Sequence, residues 1–280
     1  MNNPNISIKQ LCLSLNLTSL SQDYEQIMQQ AEQGQVGYHE LASMLLQYEL
    51  EKREEKKLSK RLKEAGLPIS HNLDLYDFNF SNGIKPAQLN QLKELAWLDQ
   101  NYNMVIMGPT GTGKSFLAAG LCYHAIQSGY KAYFRPIEQI MDILRLKEVT
   151  NTAKADYKRL LSAHLIVIDD IMLMPVSKPD AAKLFGFINM LFESTSFIIT
   201  TNKSPQQWVE MLDDEVLATA LLDRLLFKCQ VIPLEGKSYR LINRKSIFND
   251  ENLYFITFAM ITGVSLFTEC GTLLFADYNI

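Results

Sequence analysis

One short stretch constrains this chain more than any other. Gly108-Pro109-Thr110-Gly111-Thr112-Gly113-Lys114-Ser115 fits the pattern G-x-x-x-x-G-K-[ST] at every fixed position. The apolar run Met104–Met107 before it reads as a buried strand, and Phe116–Cys122 after it reads as the first turns of a packed helix. Glycines let the backbone curl until successive N–H groups point inward as an anion nest, and the helix N-terminus adds its positive dipole end. All eight residues are therefore assigned to phosphate binding. Lys114 is expected to reach the β- and γ-phosphates, and the Ser115 hydroxyl to ligate Mg²⁺. The bland alternative, a glycine-rich turn that binds nothing, leaves the strand, the helix and all the fixed residues to coincidence.

From residue 104 onward apolar strands alternate with helical patterns, which marks a parallel sheet covered by helices. Strands are expected at 104–108, 131–135, 165–169, 196–201 and 229–234. Helices are expected at 114–128, 137–147, 153–162, 178–193, 205–211 and 215–226. Residues 1–70 read as a small helical domain. Two helices break at Gly34–Gly37, and a charged helix ends at Gly66 and Pro68. Residues 69–90 read as an extended linker, followed by a helix at 88–98. The expected division is 1–70, 71–248 and 249–280.

Charge is unevenly placed. From Asn249 on there are four acids (Asp250, Glu251, Glu269, Asp277) and no Lys or Arg, which accounts for the whole formal net charge of −4. The neutral remainder holds one basic run, Lys52–Lys63, with seven Lys or Arg against two Glu. Such an arm can hold a polyanion; with Glu51, Glu54, Glu55 and Glu64 interleaved it also reads as a solvated helix face. The four cysteines stand apart, without C-x-x-C spacing, so neither a zinc site nor a disulfide framework is indicated. The polar N-terminus lacks a signal-peptide pattern, and a cytoplasmic location is expected. Asn252–Thr268 is uncharged and mostly apolar, but it is shorter than the ~20 residues of a membrane span; a buried or partner-bound strand–turn–strand is expected there.

A second constellation supports nucleotide chemistry. Leu165–Ile168 reads as a central strand, and Asp169-Asp170 closes its C-terminal end, where open α/β sheets bind ligands. Asp169 is the candidate Mg²⁺ ligand and Asp170 the group that polarises an attacking water. Asn202, after Phe197–Thr201, is either a turn former before Ser204-Pro205 or the amide that orients that water. Arg224, in Leu221–Leu226, is either half of a solvated Asp/Arg pair or an arginine finger for a neighbouring subunit. Arg240 could contact the γ-phosphate from the same chain, though its spacing alone marks only a surface arginine.

Taken together, Gly108–Ser115, Leu165–Asp170, Thr200–Asn202, Trp208, Ala220–Leu226 and Gly236–Leu241 resemble the IstB-like ATPases. These are transposition helper proteins of insertion sequences, related within the AAA+ group to the DnaC helicase loaders and the DnaA initiator. Lys52–Pro68 also resembles the family's N-terminal region, so the likeness covers roughly residues 40–248. The resemblance implies an AAA+ sheet, ATP and Mg²⁺, ATPase activity, self-assembly on duplex DNA as a homo-oligomer, and a partner transposase. It assigns the finger role to Arg224 and the sensor role to Asn202. Three features depart from the pattern. Ser115 stands where Thr is frequent. Asp170 stands where Glu is general, which implies slow hydrolysis. The tail after Phe248 has no counterpart.

The candidate DNA contacts are Lys52, Arg53, Lys56, Lys57, Lys60 and Arg61 in the basic run. Lys147, Lys154, Lys158 and Arg159 join them, on two helices that resemble those lining a DNA channel in the loader and initiator relatives. No base-reading pattern is present, so phosphate contacts with little sequence preference are expected. Three functions fit: a DNA-bound helper of a transposase, a helicase loader on single-stranded DNA, and a nucleotide-gated scaffold without turnover.

Overall fold

The computed structural model describes residues 7–78, 83–171, 177–212, 214–242, 268–269 and 272–273. The chain clusters into two compact units, Met1–Ser238 and Tyr239–Ile280.

The first unit begins with three helices. Helix α1 (Ile8–Ser14) opens on a capping box in which Ser7 and Gln10 satisfy each other's backbone N–H groups. Helices α2 (Leu20–Gln33) and α3 (Tyr38–Ala65) follow. Cys12, Leu20 and Ile27 form a small core here, with Met44, Leu45 and Tyr48 of α3 against it. The first N–H of α2 is satisfied across this bundle: Leu20 donates to Glu49 Oε2 at 2.7 Å, and Arg53 Nε donates to Glu49 Oε1 at 2.8 Å. Burial pushes the Glu49 carboxyl up, but the Leu20 N–H and Arg53 outweigh it and leave the pKa below its ordinary value.

Next come α4 (Pro86–Lys93) and α5 (Ala96–Asp99), where the sequence predicts one helix over 88–98. The break falls at Leu95, whose φ of 61° is left-handed. A non-glycine residue in that conformation leaves no glycine to signal it. Then strands and helices alternate: β1 (Asn103–Met107), α6 (Lys114–Gln127), β2 (Ala132–Pro136), α7 (Ile137–Leu146), α8 (Asn151–Leu161), β3 (Leu165–Asp169), α9 (Lys178–Leu191), β4 (Ser196–Thr201), α10 (Pro205–Leu212), α11 (Glu215–Leu226) and β5 (Cys229–Pro233). The sheet is five-stranded, in the order β2-β3-β4-β1-β5, with every pairing parallel. This is the expected α/β fold, a five-stranded parallel sheet flanked by helices, behind a helical N-terminal part.

Period-2 alternation builds a core on each face. Val105, Tyr133, Ile166, Ile168, Phe197 and Ile199 face α7–α11. Met104, Ile106, Phe134, Leu165, Val167 and Ile198 face α4, α5, α6 and the linker. A sheet buried on both faces needs unbroken apolar strands, and these sequences supply them. The end of α3 is fixed to the sheet by Arg135 of β2, which donates from Nη1 to Ala65 O (2.6 Å) and from Nη2 to Glu64 O (2.8 Å). A cation on the last carbonyls of a helix satisfies orphan acceptors and meets the negative dipole end.

The second unit holds α12 (Tyr239–Ile242) and an antiparallel pair, β6 (Thr268–Glu269) and β7 (Thr272–Leu273). That pair lies at the end of the expected strand–turn–strand; the rest of 243–280 lies outside the described residues. Among the described residues no helix is long and apolar enough to cross a membrane.

Candidate nucleotide site

The phosphate loop leaves β1 at Gly108, and Gly108 N–H donates to Thr201 O of β4 at 3.2 Å. Gly108, Gly111 and Gly113 have φ of 153°, 84° and 95°. Side chains are also excluded at two of these positions. A Cβ on Gly108 would overlap the Leu234 carbonyl, and one on Gly111 would overlap the Ser238 hydroxyl. The segment 234–238 therefore lies directly against the loop. Thr112 Oγ1 donates back to Pro109 O at 2.8 Å and stiffens the curl. Lys114 is buried, and its Nζ donates to Gly108 O (2.8 Å) and Pro109 O (2.9 Å), so the ammonium folds back over the loop. Ser115 occupies the first turn of α6, directly after Lys114.

The sheet register delivers the carboxylates. Met107 pairs with Thr201 across β1 and β4, and Ile168 pairs with Ile199 across β3 and β4, so the loop and Asp169 leave the sheet at the same end. Between them sits Thr200, fully buried. Its hydroxyl donates to Asp169 Oδ1 at 2.6 Å and accepts from Asp170 N–H at 2.8 Å. Asp170 has a φ of 53°, a left-handed turn that swings the chain sharply away after the strand. Sequence reasoning missed Thr200. Its only signal is a hydroxyl directly after the apolar run Phe197–Ile199 of a central strand, a weak one because Ser196 and Thr201 of the same strand carry hydroxyls too. Asn202 follows Thr201 at the same end of the sheet and is exposed.

The donor set fits a hard cation shared with a phosphate. Ser115 and Asp169 offer oxygen, and no cluster of three His, Cys, Asp or Glu that could enclose a metal occurs among the described residues. Magnesium bound through one or two carboxylates, water and substrate phosphates needs no such enclosure. The loop's inward N–H groups at a helix N-terminus fit the triphosphate.

Arg224 lies elsewhere. Leu225 O accepts from Asn103 Nδ2 (3.0 Å), and Lys228 O accepts from the Asn103 N–H (2.6 Å), which places the end of α11 beside the first residue of β1. The loop follows the last residue of that strand, roughly 16 Å away at the usual strand rise. Arg240 is exposed on α12, in the second unit.

The expected DNA contacts divide by their partners. Lys52 pairs with Glu55 (2.8 Å), Arg53 with Glu49 (2.8 Å) and Lys57 with Glu54 (2.7 Å), while Lys56 donates to Ser19 Oγ (2.8 Å). Lys60, Lys63, Lys154 and Lys158 are exposed, and Arg61 is half-buried. Lys147 stands 4.1 Å from the centre of the Tyr157 ring. Arg159 pairs with Asp156 (2.7 Å) and reaches Glu64 of α3 (3.6 Å), so the two basic segments adjoin.

The sheet, the loop and the carboxylate strand together define a P-loop nucleotide-binding protein. Comparison with known proteins specifies it further. Residues 10–247 match the model of the IstB-like ATP binding protein family. A Bacteroides fragilis protein named for ATP binding in an IS21-like insertion sequence is 43% identical over 238 residues, covering 85% of this chain and 90% of that protein. An IS21 counterpart from Pseudomonas aeruginosa is 33% identical over 231 residues, covering 82% and 87%. The solved DnaC helicase loader superimposes with a TM-score of 0.48 at 18% identity, over 60% of this chain and 98% of that one. The chain belongs to the IstB-like ATP binding protein family.

Proposed function

We propose that this protein is an ATP-dependent DNA-binding helper of transposition, which assembles on target duplex DNA and recruits or stimulates the transposase of the same element. In this reading Gly108–Ser115 bind the triphosphate of ATP, and Ser115 and Asp169 hold Mg²⁺. Asp170 polarises the attacking water, and Asn202 orients it. Arg240 contacts the γ-phosphate. The N-terminal 1–70 and the basic residues of α3, α7 and α8 bear on DNA phosphates, and 71–248 form the ATPase domain.

The observation that carries the assembly is the place of Arg224, at the end of the strands away from its own loop. A guanidinium there is poorly placed to serve its own nucleotide and well placed to serve another subunit's. Supplied in trans, it stabilises charge on the transferring phosphoryl group, an effect worth about 10³–10⁵ in rate in well-studied cases. Asp170, one methylene shorter than Glu, sets the water less well, so turnover is slow.

Mixing variants tests this. Lys114→Ala removes the loop's cation but keeps the finger; Arg224→Ala removes the finger but keeps the loop. Each alone is expected to hydrolyse ATP poorly, and their mixture to regain activity. A mixture that co-assembles yet stays as inactive as either variant contradicts the trans role and leaves Asp223/Arg224 a surface pair.

A further inference from the structure

We propose that Asn189 and Phe192, at the C-terminal end of α9, are positioning residues that hold the Arg224 guanidinium in the pose from which it serves a neighbouring subunit. The inference rests on the finger reading above. Arg224 is restrained on three sides. Its Nε donates to Asn189 Oδ1 at 3.2 Å, its Nη1 donates to Asp223 Oδ2 at 2.6 Å, and its guanidinium carbon lies 5.4 Å from the centroid of the Phe192 ring. Phe192 is itself held by Phe227, with ring centroids 5.8 Å apart. Arg224 Nη2 is the guanidinium nitrogen with no hydrogen bond among the described residues, and the side chain is 32% exposed.

These restraints differ in kind. Asp223 is the chain neighbour of Arg224 and is 70% exposed, so it travels with the arginine and fixes no direction. Asn189 and Phe192 come from another helix and do fix one. A planar guanidinium that is hydrogen-bonded in its plane and stacked on its face loses both its rotation and its tilt. The contact is not needed to dock α11 on α9. Ala218, Leu221 and Leu225 already share the buried core with Leu184, Phe187 and Ile188. An arginine with only a solvation role has no use for partners on a second helix. One that must meet a phosphate across a subunit boundary gains from being pre-oriented, because small misplacements of a catalytic group cost rate.

The test places the change in one chain at a time. The reference is the mixture of Lys114→Ala, which supplies the finger, with Arg224→Ala, which supplies the loop. Asn189→Ala or Phe192→Leu added to the finger-supplying chain is expected to lower the restored kcat about ten-fold, short of the 10²-fold that a 1 Å misplacement can cost, with KM for ATP unchanged. The same change added to the chain that already lacks the finger has nothing to act on, and activity should hold. Asn189→Asp, which keeps an acceptor of the same shape, should retain most of the restored rate and shows that the position tolerates substitution. Equal losses in both arms mean a fold contact and overturn the proposal, as does no loss in either arm. A reference mixture that co-assembles without regaining activity sinks the finger reading itself, and this proposal with it. That failure is distinguishable because it precedes any change at Asn189 or Phe192.

Discussion

Thr200 shows how one buried hydroxyl can organise a charged site. It holds the Asp169 carboxylate and the Asp170 backbone at once, and so fixes both acids relative to the strand that lies beside the loop. Thr200→Val keeps the shape and removes both bonds, leaving a carboxylate without its charge-assisted donor, worth about 1.5–3 kcal/mol. We expect near-normal binding of a fluorescent ATP analogue and a drop in kcat of at least ten-fold. Equal kcat in the variant contradicts the role. The loop and both acids were readable because each pattern is local. Thr200 was not, because its function is a pairing between residues thirty positions apart that only the sheet register creates. Asn189 escaped notice because its partner Arg224 lies thirty-five positions away, on a helix that only the packing of α11 on α9 brings near.

At the scale of elements, the five strands start and end within a residue of where the apolar runs place them, since buried strands leave little choice of residue. The split between α4 and α5 was hidden by Leu95, and the cap that Arg135 places on α3 is a tertiary interaction with no local signature. Two predictions belong here. Neutralising Lys56, Lys57, Lys60 and Arg61 together should weaken duplex binding and make the slope of log affinity against log salt shallower, by about 0.9 for each DNA phosphate no longer neutralised. An unchanged slope would make α3 only a solvated helix. The second concerns the join of α7 to α9, where Arg145 Nη2 meets Asp180 Oδ2 at 2.7 Å. That hydrogen bond is the largest cause, with the Arg145 charge and bonds from Ser177 and Lys183 adding to it against burial, of an Asp180 pKa lowered from its ordinary 3.8 to about 2. A depressed carboxylate stabilises the fold above its unfolded pKa, and this contribution disappears as pH falls through 3.8 toward 2. Arg145 is partly solvated, so Asp180→Asn should cost roughly 1 kcal/mol at pH 7. In urea titrations that difference should shrink over the acid window; a difference that stays constant contradicts the link.

For the molecule as a whole, nucleotide, assembly and DNA are expected to act as one system. The phosphate loop lies at one end of the sheet, Arg224, the proposed finger, stands at the other, and α3 and α8, which carry the exposed lysines, adjoin through the Arg159–Glu64 pair. The sequence placed the basic run and its interleaved glutamates, three or four residues from Lys52, Arg53 and Lys57, but the bond from Lys56 to Ser19 beside α2 has no local signature. The most direct test of the central claim is equilibrium binding of the full chain to labelled duplex DNA, with and without a non-hydrolysable ATP analogue, beside Lys114→Ala. The account predicts tight, cooperative duplex binding only with the nucleotide, abolished in the variant, and weaker binding to single strands. Duplex binding that is indifferent to nucleotide and to Lys114, or a preference for single strands, would contradict it.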